Sequence, residues 1–157
     1  MVKRVLVLLV VALVLLSGTC LANHWILVKE DKIDGNRFIE IDSMRYYRPY
    51  GNIDKNIVEV WTKHNYSLKF MEDRIAFAKR TKIYTEQWES IDHEKQKWRF
   101  NIATGECTMV YVVVYDIEGN AIYSKNTTEK YEPVIPETVA AFMLDIVKIA
   151  AESNEVQ

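Results

Sequence analysis

The chain has 157 residues, of which 49% are hydrophobic, and a formal net charge of −2 at pH 7. A chain of this length can bury the core of one domain. The lack of an overall positive charge argues against a nucleic-acid partner, which would require a basic face. No linker, repeat or low-complexity tract interrupts residues 23–157, so we predict a single domain over that range.

Residues 1–22 are predicted to be a secretory signal peptide. Two basic residues, Lys3 and Arg4, precede an unbroken apolar run from Val5 to Leu16. That run is too short to span a bilayer, which requires about 20 residues. A basic start, a short apolar run and small residues after it are typical of a signal that directs export and is then removed. We therefore expect the protein in the periplasm or cell envelope, or secreted, with no transmembrane segment in the mature chain.

The position of cleavage distinguishes a soluble product from a lipid-anchored one. Cys20 and Ala22 place small side chains at the third and first positions before a cut between Ala22 and Asn23. This pattern favours cleavage there. The alternative is a lipoprotein anchored at Cys20, although the residue before that cysteine is the β-branched Thr19 and not a Gly or Ala.

The first part of the mature chain is predicted to be mainly β-strand. Segments rich in β-branched and aromatic residues indicate three strands, with a turn at Asp34-Gly35. The strands correspond to HWILVKED (24–31), NRFIEID (36–42) and NIVEVWTKHNY (56–66). Between the last two, SMRYYRPYGN (43–52) is predicted to be an aromatic loop.

Residues 67–80 break the alternating pattern and predict a helix. Ser67 is suited to cap its first turn. Apolar residues recur at the spacing of one helix face, at Leu68, Met71, Ile75 and Ala78. The sequence therefore predicts a helical insertion in the middle of the strand order.

Residues 83–103 are predicted to return to β structure, with the charged stretch DHEKQK (92–97) as a turn. The following segment, CTMVYVVVYD (107–116), is apolar on both faces, as expected for a central strand. The turn IEGN (117–120) leads into AIYSKN (121–126), which predicts a β-hairpin.

A second helix is predicted near the end of the chain. Pro136 suits its first turn, and Glu137 would interact favourably with the positive end of the helix dipole. A broad apolar face predicts burial against a sheet, and it comprises Val139, Phe142, Met143, Ile146, Val147, Ile149 and Ala150. Sequential strands with one helical insertion and a terminal helix predict the α+β class with an antiparallel sheet.

Four segments follow a tryptophan near the predicted cleavage site, in the order RFIEIDSM, VEVWTK, VYDIEGNAIYS and YEPVIPETVAAFMLDIV. This succession resembles the surface-adhesin protein E family of small exported bacterial proteins. The resemblance implies a curved antiparallel sheet with the C-terminal helix packed on it. It also implies a binding role, because the named adhesins of the family bind host extracellular-matrix and plasma proteins at the cell surface.

No pattern in the sequence indicates a catalytic, cofactor or metal site. His24, His64 and His93 do not form a short metal-ligand motif, and no nucleophile elbow, phosphate-binding loop or dinucleotide fingerprint occurs. The run Asp92-His93-Glu94 is interpreted as part of a solvated turn. We therefore predict a non-enzymatic binding or adhesion module without a cofactor.

Cys107 would be the single cysteine of the mature chain, so no intramolecular disulfide is expected. Its place in an apolar strand predicts a buried small hydrophobic residue. An intermolecular disulfide and a reactive thiol are the other roles open to it. The alternative function that stays open is a small extracytoplasmic enzyme with an unrecognised site, for which this thiol is the candidate nucleophile.

The predicted aromatic loop is the best candidate for contact with a partner. Tyr and Arg are the residue types enriched at interface hot spots. The loop contains Arg45, Tyr46, Tyr47, Arg48 and Tyr50. The alternative interpretation is that its tyrosines pack over an edge of the sheet. The expected partner is an extracellular or envelope protein, and the sequence does not set the oligomeric state.

Overall fold

A computed structural model describes residues 24–157. The predicted signal peptide, the cut between Ala22 and Asn23 and the alternative lipid anchor at Cys20 all lie outside the described residues. Within the described range, the chain forms an eight-stranded antiparallel sheet and two α-helices. The predicted α+β class, with a curved antiparallel sheet, a C-terminal helix packed on it and a helical insertion in the middle, is therefore confirmed. The sheet is open. No helix of this range is both long and apolar enough to cross a membrane.

The sheet follows the chain closely in its strand order. The strands and helices are β1 (Trp25–Lys29), β2 (Gly35–Glu40), β3 (Arg45–Tyr47), β4 (Asp54–Tyr66), α1 (Leu68–Arg80), β5 (Ile91–Asn101), β6 (Glu106–Asp116), β7 (Ala121–Asn126), β8 (Glu132–Pro133) and α2 (Val139–Glu152). The central path of the sheet runs β1-β2-β4-β5-β6-β7, while β3 pairs with β4 and β8 pairs with β6. The predicted hairpin of β6 and β7 is present, and β6 lies inside the sheet between β5 and β7.

Both helices pack against the same face of the sheet. Side chains on that face alternate along β4, where Val58, Val60 and Thr62 are buried. The larger core joins α2 to β2, β4 and β5, and it includes Ile39, Val58, Val60, Phe100, Met143, Leu144 and Val147. A smaller core joins α1 to β6 through Ala78, Trp88, Ile91 and Val114. The opposite face of the sheet carries neither of these two helices.

Helix α1 begins where the sequence predicts. The hydroxyl oxygen of Ser67 accepts a hydrogen bond of 3.1 Å from the backbone N–H of Phe70, which is the expected N-cap. Ala78 is buried, and Met71 and Ile75 pack against the smaller core. Leu68, the first of the four apolar residues at helical spacing, is 78% exposed and is not part of the smaller core.

Helix α2 begins later than predicted and presents a different face. Thr138 is the N-cap, with its hydroxyl oxygen accepting from Ala141 N at 3.3 Å, so Pro136 lies before the helix and not in its first turn. Glu137 also precedes the helix and has a φ of 63°. The buried residues of α2 are Met143, Leu144, Val147 and Ala150, whereas Phe142 and Ile149 of the predicted apolar face are exposed. The apolar stripe is wider than the sheet contact, and its edges face solvent.

The predicted turn at residues 92–97 is wrong. Strand β5 runs without interruption from Ile91 to Asn101 and pairs with β4 and β6 along this stretch. Alternate charged residues of the stretch point to opposite faces, which gave the appearance of a solvated turn. The preceding segment is also not a strand, because Glu86–Ser90 is a short 3-10 helix that buries Trp88.

Candidate functional site

The helix-free side of the sheet, called the open face below, combines aromatic and basic side chains. The strand period of two is clearest on β4, where the half-buried residues of this face alternate with the buried ones of the helix side over residues 57–65. Its members on the central strands are Glu59, Trp61 and Lys63 of β4, His93, Lys95, Lys97 and Arg99 of β5, and Tyr111, Val113 and Tyr115 of β6. In a chain of net charge −2, the basic residues of β4 and β5 are thus concentrated on one surface.

At one end of the open face lies the segment that was predicted to be an aromatic loop. Part of it is ordered β structure, because Arg45–Tyr47 forms β3 and pairs with β4. Pro49–Gly51 follows as a 3-10 turn in which Tyr50 has a φ of 51°. We call residues 45–50 the corner. The backbone is fixed by Tyr46 N, which donates to Gln157 O at 2.9 Å.

The three corner tyrosines differ in their surroundings. Tyr46 is half-buried and packs against the larger core. Tyr47 is half-buried beneath Arg99, whose guanidinium carbon lies 3.8 Å from the ring centroid. Tyr50 is fully exposed. The interpretation of the tyrosines as packing residues fits Tyr46 and Tyr47, while Tyr50 is available to a partner.

A shallow cavity of about 570 Å³ is lined by side chains of the corner and by side chains of β4 and β5. Its walls carry both charge signs, since Glu59 Oε1 accepts from Arg99 Nε at 3.0 Å and Glu59 Oε2 lies 3.4 Å from Lys97 Nζ. Arg99 also pairs with Glu129. The lining residues are Arg45, Tyr46, Tyr47, Arg48, Glu59, Lys97, Arg99 and Gln157. The structure therefore brings four of the five predicted contact residues to one cavity and leaves Tyr50 outside it.

Aromatic rings contact one another in pairs at the middle of the open face. Trp61 and Tyr111 meet edge to face with centroids 6.1 Å apart. His93 stacks on Tyr115 at 4.9 Å with an interplanar angle of 9°. Such pairs contribute about 0.5–1.5 kcal/mol beyond their buried area. The middle of the open face is therefore packed through ring contacts among β4, β5 and β6.

A buried polar cluster lies on the other side of the sheet, between β4, β5 and α1. Glu94 accepts hydrogen bonds from Tyr66 at 2.8 Å, Arg74 at 3.1 Å and Gln96 at 2.6 Å. Burial would raise the pKa of Glu94, but His64, Arg74 and Tyr66 more than offset this and lower it. The interpretation of Asp92-His93-Glu94 as a solvated turn is wrong, because Glu94 is buried and holds α1 against the sheet.

The three histidines are dispersed through the fold. His64 is buried, with Nε2 2.9 Å from Asp34 O. His93 lies on the open face, and His24 pairs with Asp42 at 2.9 Å near the start of β1. Across residues 24–157, no group of three or more potential ligand side chains is placed to hold a metal ion.

Cys107 lines a second shallow cavity, of about 490 Å³, on the helix side of the sheet. The thiol is half-buried, not fully buried as predicted, and Glu132 and Pro133 of β8 lie beside it. Burial raises the pKa of the Cys107 thiol, and the charge of Glu132 raises it further. No histidine is among the described residues that line this cavity. These surroundings oppose formation of the thiolate that a nucleophile requires.

The fold of residues 24–157, an antiparallel sheet with a C-terminal helix packed on it, is similar to that of two solved structures of Haemophilus influenzae protein E. Crystal form II has a TM-score of 0.56 at 17% sequence identity, covering 83% of this chain and 91% of that one. The other has a TM-score of 0.52 at 17% identity, covering 87% and 89%. No protein-family model and no curated protein matches the chain.

Proposed function

We propose that the protein is an exported, non-enzymatic binding module that attaches to an extracellular or envelope protein. The leader pattern supports export, and the fold shared with Haemophilus influenzae protein E supports a surface adhesion role. The raised pKa of Cys107 weighs against the alternative of a thiol-dependent enzyme.

The corner supplies the proposed contact. The single observation that carries this step is Tyr50, a tyrosine that is fully exposed on a short turn with ordered structure on both sides. Tyr47 beneath Arg99 and the Tyr46–Gln157 backbone hydrogen bond support the turn from within. A tyrosine side chain has only two torsion angles, so it loses little conformational freedom when a partner covers it. Arg48 beside it is also exposed and can donate several hydrogen bonds.

The experiment compares binding of purified protein to immobilised extracellular-matrix and plasma proteins before and after Tyr50→Ser. A matched control is Phe142→Ser, which removes an aromatic ring that is 53% exposed on the helix side. If Tyr50 is an interface hot spot, its loss should weaken binding by about tenfold or more. Phe142→Ser should bind like the parent, and both variants should melt near the parent temperature. Equal binding by Tyr50→Ser and the parent would exclude the corner as the contact surface.

A further inference from the structure

Two lysines face each other at the centre of the open face. Lys63 of β4 is directly opposite Lys95 of β5 in the antiparallel register. Their ammonium nitrogens lie 5.2 Å and 5.7 Å from the centroid of the same ring, that of Trp25. Lys63 Nζ is also 5.0 Å from the Phe38 ring, and Lys95 Nζ is 5.6 Å from the Tyr115 ring. Aromatic faces on three strands therefore hold two like charges side by side.

This pair has no direct counter-ion among residues 24–157. Neither ammonium is within 4.0 Å of a described carboxylate, in contrast to Lys97 and Arg99 on the same strand, which pair with Glu59. The acid that interacts with both lysines is Glu40. Burial raises the pKa of the Glu40 carboxyl, and the positive charges of Lys95 and Lys63 offset only part of that rise. Like charges directly opposite on neighbouring strands are destabilising. An anionic ligand that binds between the two ammonium groups would relieve this repulsion, so the surface is suited to binding an anion.

The cation–π contacts leave the lysines able to bind that anion. Neither ammonium group donates a hydrogen bond to a described residue, so N–H donors of both stay available for oxygen atoms. The rings also restrict the two side chains, which lowers the conformational cost of binding. Lys97 and Arg99 continue the basic row along β5 at intervals of roughly 7 Å, the spacing of alternate strand residues.

The same geometry indicates which anionic chain fits. Nucleobases bind by stacking on free aromatic faces. Here Lys63 and Lys95 lie over Trp25, His93 stacks on Tyr115, and Trp61 is locked edge to face with Tyr111. The face is also shallow, and the main-chain donors of its central strands are used within the sheet, so it offers no strand-addition site for a peptide. A chain recognised here must present repeated anionic groups to side chains alone.

We propose that the open face binds a sulfated polysaccharide, with Lys63 and Lys95 as the central anion subsite and Lys97 and Arg99 as its extension. This ligand goes beyond the protein partner proposed for the corner. The proposed contact residues Arg48 and Tyr50 of the corner are not part of the anion subsite at Lys63 and Lys95, although Lys97 and Arg99 also line the corner cavity. Sulfate groups occur repeatedly along such a chain, so several can meet the basic row together. Because the contact is electrostatic, binding weakens as salt concentration rises.

The test is titration of the purified protein with a size-defined heparin oligosaccharide and with the same oligosaccharide after chemical desulfation, at several salt concentrations. The parent is expected to bind the sulfated form at least tenfold more tightly. Lys63→Gln with Lys95→Gln should weaken that binding at least tenfold and reduce the slope of log affinity against log salt by about two, one for each lysine. Glu40→Gln should strengthen binding, because it removes the nearby acid.

Control variants distinguish a specific effect of Lys63 and Lys95 on binding from the effect of a lower net positive charge and from loss of folding. Lys69→Gln with Lys82→Gln removes the same amount of charge from α1 and from a position two residues after its end, and this pair should bind like the parent. Lys63→Arg with Lys95→Arg keeps both charges and should retain binding, while all variants should melt near the parent temperature. The proposal is overturned if the parent does not bind the sulfated oligosaccharide. It is also overturned if the double variant at Lys63 and Lys95 and the double variant at Lys69 and Lys82 weaken binding equally. Tighter binding of a single-stranded DNA of equal charge through the same lysines would also overturn it. A negative result here leaves the Tyr50 experiment unaffected.

Discussion

Arg74 of α1 donates a hydrogen bond of 3.1 Å from Nη2 to Oε2 of Glu94 on β5. The contact joins the helical insertion to the middle of the sheet, in a cluster where Glu94 is almost fully buried. Tyr66 and Gln96 donate to the same carboxylate. A buried charge with this many donors stabilises the fold only as a complete set, because each lost partner leaves another polar group unsatisfied.

Replacing Glu94 by Gln should destabilise the protein by about 3 kcal/mol at pH 7, because the half-buried Arg74 loses the buried carboxylate that is its charged partner. The pKa of Glu94 is lowered from its ordinary value of 4.5, so its ionised form stabilises the fold above about pH 4.5. That stabilisation is lost as the pH falls through the lowered pKa. Urea unfolding of parent and variant from pH 7 to pH 2.5 should therefore show a gap that narrows in acid. A gap that is constant over this range would contradict the assignment.

The sequence predicted a turn at residues 92–97, which are part of β5, and this error has a physical cause. Charged residues in succession are usually solvated, and the sequence alone gave no sign that Glu94 and Arg74 would meet. The pairing requires α1 to lie across β5, which is a tertiary arrangement between residues 20 positions apart. The strand identity of 107–116 and 56–66, by contrast, follows from local pattern and was predicted correctly.

Leu144 and Phe142 provide a test of which side of α2 faces the core. Leu144 is buried and Phe142 is 53% exposed, although the sequence placed Phe142 on the buried face. Leu144→Ala should lower the free energy of unfolding by about 2–5 kcal/mol. Phe142→Ala should change it by much less, since most of its ring already contacts water. Denaturant melts of the two variants measure both values, and the reverse order would show that α2 is rotated relative to this structure.

The two candidate sites also differ in how far the sequence predicts them, because one depends on local composition and the other on tertiary structure. The corner was found from composition, because tyrosine and arginine cluster in one short segment. The subsite at Lys63 and Lys95 was missed, since it depends on strand register and on Trp25 from a third strand. Alternating basic residues at 95, 97 and 99 were a usable signal, but the assumed turn concealed it.

Gly35 begins β2 in a backbone conformation that other residues rarely adopt, with a φ of 109°. A Cβ there would overlap the carbonyl oxygen of Asn65 and lie 2.8 Å from Ser67 N. Gly35→Ala should therefore cost clearly more than the roughly 1 kcal/mol expected from the positive φ alone. Gly105→Ala is the matched control, because its φ is also positive, at 74°, and its Cβ would meet nothing within 4 Å. Thermal melts that give equal losses would show that the Asn65 contact is not fixed.

Cys107 provides the last prediction, which bears on the choice between a binding module and an enzyme. Burial and the charge of Glu132 raise the pKa of its thiol above the ordinary value of 9.0, so the reactive thiolate forms only at higher pH than in an unhindered cysteine. Alkylation by iodoacetamide at pH 8 should be slower in the folded protein than in the same protein in urea. The midpoint of the rate against pH should also lie above 9.0 in the folded state. Cys107→Ser corrects for modification elsewhere in the chain and should leave attachment to matrix proteins unchanged. A folded thiol that reacts faster than the unfolded one, together with loss of a measured turnover in Cys107→Ser, would favour the enzyme and contradict the binding module.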